Sequence, residues 1–151
     1  MKKVLFIDYN KCIGCETCQS ICEFIHRDKP FIKIFQTSTG LSIPITCHHC
    51  ENAPCLNICP TKAIYKDEDD AVIINTGKCI GCYMCLAVCP FGIPSFDIRI
   101  GAMNKCDMCA DRRKKALAPA CSEMCPCVAI FFGEPQALEQ TIKAKIAEEL
   151  A

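Results

Sequence analysis

Two stretches of this chain are near copies of each other: KCIGCETCQSIC at 11–22 and KCIGCYMCLAVC at 78–89. Each holds four cysteines with two, two and three residues between them. Two further groups complete a pattern of four: Cys47, Cys50, Cys55 and Cys59, then Cys106, Cys109, Cys121, Cys125 and Cys127. The chain has 17 cysteines in 151 residues, about 11% and far above ordinary globular usage. Such an excess means either a disulfide scaffold or metal and cluster binding in a reducing compartment.

The rest of the sequence argues against disulfides. An odd cysteine count does not close into pairs. The N-terminus, MKKVLFIDYN, has two lysines and four apolar residues before Asp8. That apolar core is too short for a secretory signal, and the twin-arginine pair is missing. No apolar run reaches the roughly 18 residues of a membrane helix. The expected location is cytoplasmic; the alternative is export attached to a partner that carries the signal. The 17 basic and 17 acidic residues cancel, and no basic stripe is interleaved with aromatics, so nucleic acid is not an expected partner.

The spacing identifies the chemistry. A tetrahedral zinc site commonly uses two C-x-x-C pairs separated by a longer loop. Here three cysteines recur at intervals of three, with a fourth four residues later. Pro60, Pro90 and Pro126 directly follow Cys59, Cys89 and Cys125, whereas Cys22 has no proline after it. C-x-x-C-x-x-C-x-x-x-C-P is a run that holds 4Fe–4S clusters. A loop closing on one cube sets three thiolates on three irons, and the fourth cysteine, already in a helix, points toward a second cube. Gly14 and Gly81 within CIGC let the backbone turn and aim N–H groups at sulfur. Such N–H···S bonds raise a cluster's potential.

Between the groups the sequence predicts short elements. Strands are expected at 2–8, 31–37, 96–100 and 129–134, and a hairpin with arms Ala63–Lys66 and Ala71–Asn75 around an acidic tip, Asp67–Asp70. Short helices are expected to follow the third cysteine of groups one and three, carrying CQSICEFI (18–25) and CLAVCPF (85–91). Residues 135–151 open with Pro135 and repeat Leu138, Ile142, Ile146 and Leu150 along one face. They predict an amphipathic helix that packs on its own domain or docks in an assembly.

The chain resembles the four-cluster ferredoxin subunits that accompany molybdenum or tungsten pterin oxidoreductases and hydrogenases. The resemblance covers residues 3–133, and its most specific pieces are CHHCENAPCLNICP (47–60) and KCDMCADRRKKALAPACSEMCP (105–126). It implies an α+β fold of two nested bacterial ferredoxin-like units with few short strands and helices. The outer unit would be 1–46 plus 97–134 and the inserted unit 47–96, making one polyferredoxin domain, 1–134, followed by the C-terminal helix. In a bacterial ferredoxin each group gives three ligands to its own cluster and one to the other. The resemblance therefore implies four 4Fe–4S clusters whose iron is held by the cysteines alone. Their ligand sets are Cys12, Cys15, Cys18 and Cys125; Cys22, Cys106, Cys109 and Cys121; Cys47, Cys50, Cys55 and Cys89; and Cys59, Cys79, Cys82 and Cys85. The sequence by itself leaves open a serial pairing of groups one and two.

Several residues remain with two readings. Cys127 stands where Thr61 stands in the sister run, CPCVAI against CPTKAI. It is a small buried residue packed beside a cluster, or it replaces Cys125 as ligand or has a redox role. Lys11, Lys78 and Lys105 each precede the first cysteine of a group, as counter-charge or as solvated lysines. The run DRRKKA (111–116) is a solvated face, a docking patch or counter-charge. His48 and His49 would hydrogen-bond around a cluster rather than ligate iron. No nucleophile triad, phosphate loop or flavin or nicotinamide fingerprint is present. The expected role is therefore non-catalytic: relaying single electrons inside an oxidoreductase complex, with a freely diffusing polyferredoxin as the alternative. The short chain favours a formate dehydrogenase or carbon dioxide reductase linked to hydrogenase as partner, with other ferredoxin-like subunits alongside.

Overall fold

A computed structural model describes residues 2–27 and 29–150. The elements are short, as the dense cysteine loops require. They run β1 (Val4–Ile7), α1 (Thr17–Ile25), β2 (Lys33–Gln36), β3 (Ser42–Ile45), α2 (Pro54–Ile58), β4 (Ile64–Lys66), β5 (Val72–Ile74), α3 (Met84–Ala87), β6 (Ser95–Asp97), β7 (Ala102–Asn104), α4 (Ala110–Arg113), α5 (Ala120–Glu123), β8 (Ile130–Gly133) and α6 (Pro135–Glu149). The mixture of small helices and strands is α+β.

The strands form two-stranded antiparallel sheets. Three are hairpins: β2–β3, β4–β5 and β6–β7. The fourth joins the ends of the polyferredoxin region, pairing β1 with β8 so that Val4 faces Gly133 and Ile7 faces Ile130. Residues 33–104, with the three hairpins, are therefore threaded between β1 and β8.

Two small cores result, and both are built partly from cysteine. Ile7, Cys18, Cys22, Ile32, Cys121 and Ile130 form one. Ala53, Ile64, Val72, Cys85 and Met103 form the other. Met103 lies on β7, so the β6–β7 hairpin spans the boundary expected between residues 96 and 97 and packs into the second core.

One expected strand is corrected. The 96–100 segment leaves extended structure after Asp97, whose carboxylate accepts from Arg99 N at 3.0 Å while its carbonyl accepts from Gly101 N at 2.9 Å. Ile98 and Ile100 stay exposed on this turn. An aspartate that bonds its own following backbone favours a turn over continued strand. The return strand β7, and β3 with Pro44 opposite Ile34, are strands the sequence did not signal. Proline suits β3 because a two-stranded sheet has only edges.

α6 forms where its periodicity predicts; Ala151 lies outside the described residues. Its apolar face is only partly covered. Leu138 is half-buried, Ile142 is at the edge of exposure, and Ile146 and Leu150 are open to solvent. Lys145 ties the helix back, its Nζ lying 2.7 Å from an Asp8 carboxylate oxygen. Among the described residues no helix is long and apolar enough to cross a membrane.

Candidate iron–sulfur sites

All seventeen cysteines are unpaired thiols. The repeated sequence produces a repeated backbone. Gly14 and Gly81 have φ of 68° and 66°, and the residue after the next cysteine, Glu16 or Tyr83, has φ 62° in both copies. Each of these residues is the N-cap of the following helix, α1 or α3. Two left-handed residues so close together curl each CIGC loop back toward its own helix.

The loops and helices bring cysteines of different groups together. Cys47, Cys50, Cys55 and Cys89 line one cavity, which His48 and Phe91 also border. Cys59, Cys79, Cys82 and Cys85 line another with Ile64, Ile74 and Met103. Cys18 lies within electrostatic reach of Cys12, Cys125 and Cys15. Cys121 feels Cys106, Cys109 and Cys22, and more weakly Cys18. Cysteines from distant parts of the chain thus meet: Cys125 joins group one, Cys22 joins group four, and groups two and three exchange Cys89 and Cys59. Cys127 Sγ sits 3.7 Å from Cys125 Sγ, just as Thr61 Oγ1 sits 3.7 Å from Cys59 Sγ.

Backbone amides surround these sulfurs. Ala63 N and Ala129 N each donate to the cysteine four residues back, Cys59 and Cys125, at 3.3 Å. Phe31 N donates to Cys22 at 3.2 Å and Met103 N to Cys79 at 3.3 Å. His49 N donates to Cys47 at 3.4 Å and Met108 N to Cys106 at 3.3 Å. Donors aimed at sulfur favour thiolate.

Burial works against the bare thiolates. It pushes Cys18 and Cys85 up to about 11 and Cys106 up to about 12, and it raises Cys121 further still, with neighbouring cysteines adding repulsion. Cys59 shifts the other way: burial alone would raise it, but hydrogen bonds with Thr61 and from the Ile64 and Ala63 amides outweigh that effect. Four crowded thiolates become stable together only around a positively charged centre, which iron supplies.

His49 is an independent test of fit. It is 7% exposed, and its Nδ1 accepts from Val72 N at 3.0 Å. Burial, reinforced by the charges of Lys105 and Arg113, holds the imidazole well below its ordinary value. The ring is therefore neutral with its proton on Nε2, and that donor is buried without a partner among the described residues. An orphaned buried donor is costly. The orphaned donor belongs to the CHHC loop itself, and the set of thiols lining the cavity of that loop fits an iron–sulfur group.

The ambiguous charged residues divide. Lys11 and Lys78 are exposed, whereas Lys105 is buried and its Nζ contacts Cys47 Sγ at 3.5 Å. In the basic run, Arg113 is buried and clamps the hairpin tip through Asp67 at 2.5 Å and Asp69 at 2.6 Å. Arg112 bonds Glu123 and the Ala118 carbonyl, leaving Lys114 and Lys115 facing solvent. His48 stacks on Phe91 with ring centroids 4.0 Å apart. His26 was not signalled by the sequence beyond standing four residues after Cys22. Its Nε2 lies 3.7 Å from Cys109 Sγ and 3.9 Å from Asp107 Oδ1.

A chain whose cores are made of clustered, amide-ringed cysteines is an iron–sulfur protein of the ferredoxin kind. Residues 38–135 match the 4Fe–4S dicluster domain family and residues 5–24 a 4Fe–4S binding domain; the chain belongs to the 4Fe–4S dicluster family. It is 38% identical over 144 residues to the thiosulfate reductase electron transfer subunit of Salmonella typhi, covering 86% of this chain and 74% of that one. It is 35% identical over 146 residues to the B subunit of the anaerobic dimethyl sulfoxide reductase of Escherichia coli, covering 85% and 71%. The B subunit of the polysulfide reductase of Wolinella succinogenes is 34% identical over 140 residues, covering 84% and 73%.

Proposed function

We propose that this chain is the electron-transfer subunit of a molybdenum-pterin type reductase and holds four 4Fe–4S clusters. The ligand sets would be Cys12, Cys15, Cys18 and Cys125; Cys22, Cys106, Cys109 and Cys121; Cys47, Cys50, Cys55 and Cys89; and Cys59, Cys79, Cys82 and Cys85. The observation that carries this reading is that cysteines from distant parts of the chain meet: Cys89 lines a cavity with group two and Cys59 one with group three, while Cys125 lies within electrostatic reach of Cys18 and Cys22 of Cys121. When bound, each cluster supplies one-electron chemistry, accepting and passing on a single electron.

The protein's part is to hold, bury and tune. Four cysteines per site fill every corner, so no iron is left for a substrate. Cys22, Cys106, Cys109 and Cys121 are buried, while Cys15 and Cys82 in the two CIGC loops are exposed. Ile13 and Ile80 beside them are exposed as well. This arrangement favours electron entry and exit at the two CIGC loops, with the Cys22, Cys106, Cys109 and Cys121 set the most buried of the four.

The named relatives favour a reductase of thiosulfate, dimethyl sulfoxide or polysulfide type as partner. The formate dehydrogenase and hydrogenase link expected from the short chain finds no support among them. The test is isolation of the native complex without oxygen, followed by metal analysis and identification of the co-purifying chains. We expect about sixteen irons per copy of this chain and one pterin-containing catalytic chain. Far less iron, or zinc in its place, would sink the cluster reading. A monomer that reduces several unrelated enzymes would make the chain a diffusing carrier, and a formate dehydrogenase or hydrogenase chain in the complex would reassign the partner.

A further inference from the structure

We propose that the ammonium group of Lys105 is a fixed cation of the electron path, shared between the central cysteine sets, that raises the reduction potential of the site formed by Cys47, Cys50, Cys55 and Cys89. The proposal rests on the ligand reading above.

Lys105 is 4% exposed. Its Nζ donates to the Val72 carbonyl, to the Cys106 carbonyl at 3.1 Å and to Cys47 Sγ at 3.5 Å. A lysine ammonium has three donors and no acceptor, and here each donor has one acceptor. A neutral amine would turn its lone pair on one of them, so the geometry suits only the charged form. A buried cation needs an anion. Two of the three partners are uncharged carbonyls, which leaves the sulfur of Cys47 as the charged one. The acids that share a cavity with Lys105 are engaged elsewhere: Asp97 pairs with Lys29 and Arg99, and Asp107 accepts from the Cys109 and Ala110 amides.

The placement is not the default for a lysine before a cysteine group. Lys11 and Lys78 hold the same position in groups one and three and point to solvent. Group two has no lysine there; Thr46 precedes Cys47, and its hydroxyl donates to the Phe31 carbonyl. Lys105 therefore crosses from group four to serve group two. Its contacts with Cys47 Sγ and with the Cys106 carbonyl put it against both sets.

The consequence follows from charge. A fully ligated oxidised site carries about −2, and reduction makes it about −3. A cation in contact with one ligand stabilises the reduced state more than the oxidised one. The N–H···S bond acts in the same direction.

The test uses the complete native complex carrying Lys105→Met, Lys105→Gln or Lys105→Arg, with iron assayed before a redox titration followed by electron paramagnetic resonance. We expect Met and Gln each to move one midpoint to lower potential, by tenfold or more in its reduction equilibrium, about 59 mV for one electron. The shifted signal should be the one that Cys50→Ser alters, and Arg should restore most of the shift. Should Met cause iron loss, Gln is read in its place. Full iron with Arg but not with Gln also supports a requirement for charge. Unmoved midpoints in Met or Gln variants with full iron would overturn the proposal. So would iron loss, or an equal shift, in the Arg variant, because shape rather than charge would then be at work. A wild-type complex lacking the clusters would sink the ligand reading instead.

Discussion

At the residue scale, the backbone around each loop is as constrained as the cysteines. Gly14 has φ 68°, and a Cβ there would meet Ser42 Cβ at 2.8 Å. Gly40 has φ 81°, and a Cβ added to it would meet nothing within 4 Å. Both positions penalise an L side chain by about 1–2 kcal/mol, but only Gly14 adds a clash with an atom fixed to the β3 backbone. Gly14→Ala should therefore destabilise by about 3 kcal/mol and Gly40→Ala by about 1. The rate at which visible absorbance bleaches in denaturant without oxygen would show the difference, and equal rates for the two variants would refute the steric argument. Cys127 is half-buried rather than buried, and its sulfur repeats the position of the Thr61 hydroxyl beside the preceding cysteine.

At the element scale, charged side chains fasten what the small cores cannot. Arg113 is the pin of the β4–β5 hairpin: its guanidinium bonds Asp67 and Asp69 and also donates to the Met108 and Asp107 carbonyls at 2.9 and 3.1 Å. Arg113→Ala would strand two carboxylates and two carbonyls. Breaking such a buried pair costs about 3–5 kcal/mol, which predicts cluster loss in denaturant at least a hundredfold faster if the loss falls on the unfolding side. A change below threefold would mean that the hairpin is held by other contacts. The α6 anchor is weaker. The Asp8–Lys145 pair is about a quarter exposed, so its contribution is about 0.5–1 kcal/mol. The Lys145 hydrogen bond holds the Asp8 carboxyl below its ordinary 3.8. A lowered acid stabilises fully above its ordinary value and loses that contribution only as pH falls through the lowered one. Hydrogen exchange of α6 amides, corrected for intrinsic rate, should thus show constant protection from pH 8 to 5, and Asp8→Asn should reduce it about two- to fivefold. Protection that declines across that range, or an Asp8→Asn variant like wild type, would contradict the assignment.

The legible and illegible elements differ for a physical reason. β4–β5 could be read because apolar arms flank an acidic tip, whose Asp67 carboxylate accepts from the Asp69 and Ala71 amides at 3.0 and 2.9 Å. α6 could be read from its period and Pro135. β3 and β7 are short and lack alternation, and α2, α4 and α5 are only four or five residues long, too short for a helical period to register. They exist because the cysteine loops and their neighbours bring them together. The roles of Lys105 and Arg113 were equally hidden. Sequence placed Lys105 before a cysteine group and Arg113 in a basic run, but only tertiary contact distinguishes a buried cation from a solvated one.

At the scale of the whole molecule, the decisive issue is how the four cysteine groups pair. The β1–β8 ladder brings residues 4–7 against 130–133, and Cys18 senses Cys125 along with Cys12 and Cys15. These contacts favour nested pairing, in which the first and last groups enclose the middle two. Serial pairing would put Cys12 and Cys125 in different clusters. Iron counting separates the two arrangements without assigning any spectrum. Cys12→Ser and Cys125→Ser should each affect one cluster. If both residues serve the same cluster, their effects cannot add, and the double variant should retain as much iron as the worse single one. Serial pairing requires the losses to sum, up to about eight irons of sixteen. Cys12→Ser with Cys55→Ser is the control, since those residues belong to different clusters under either arrangement and their losses should add. A Cys12–Cys125 pair that adds as that control does would undo the nested architecture while leaving the cluster chemistry intact.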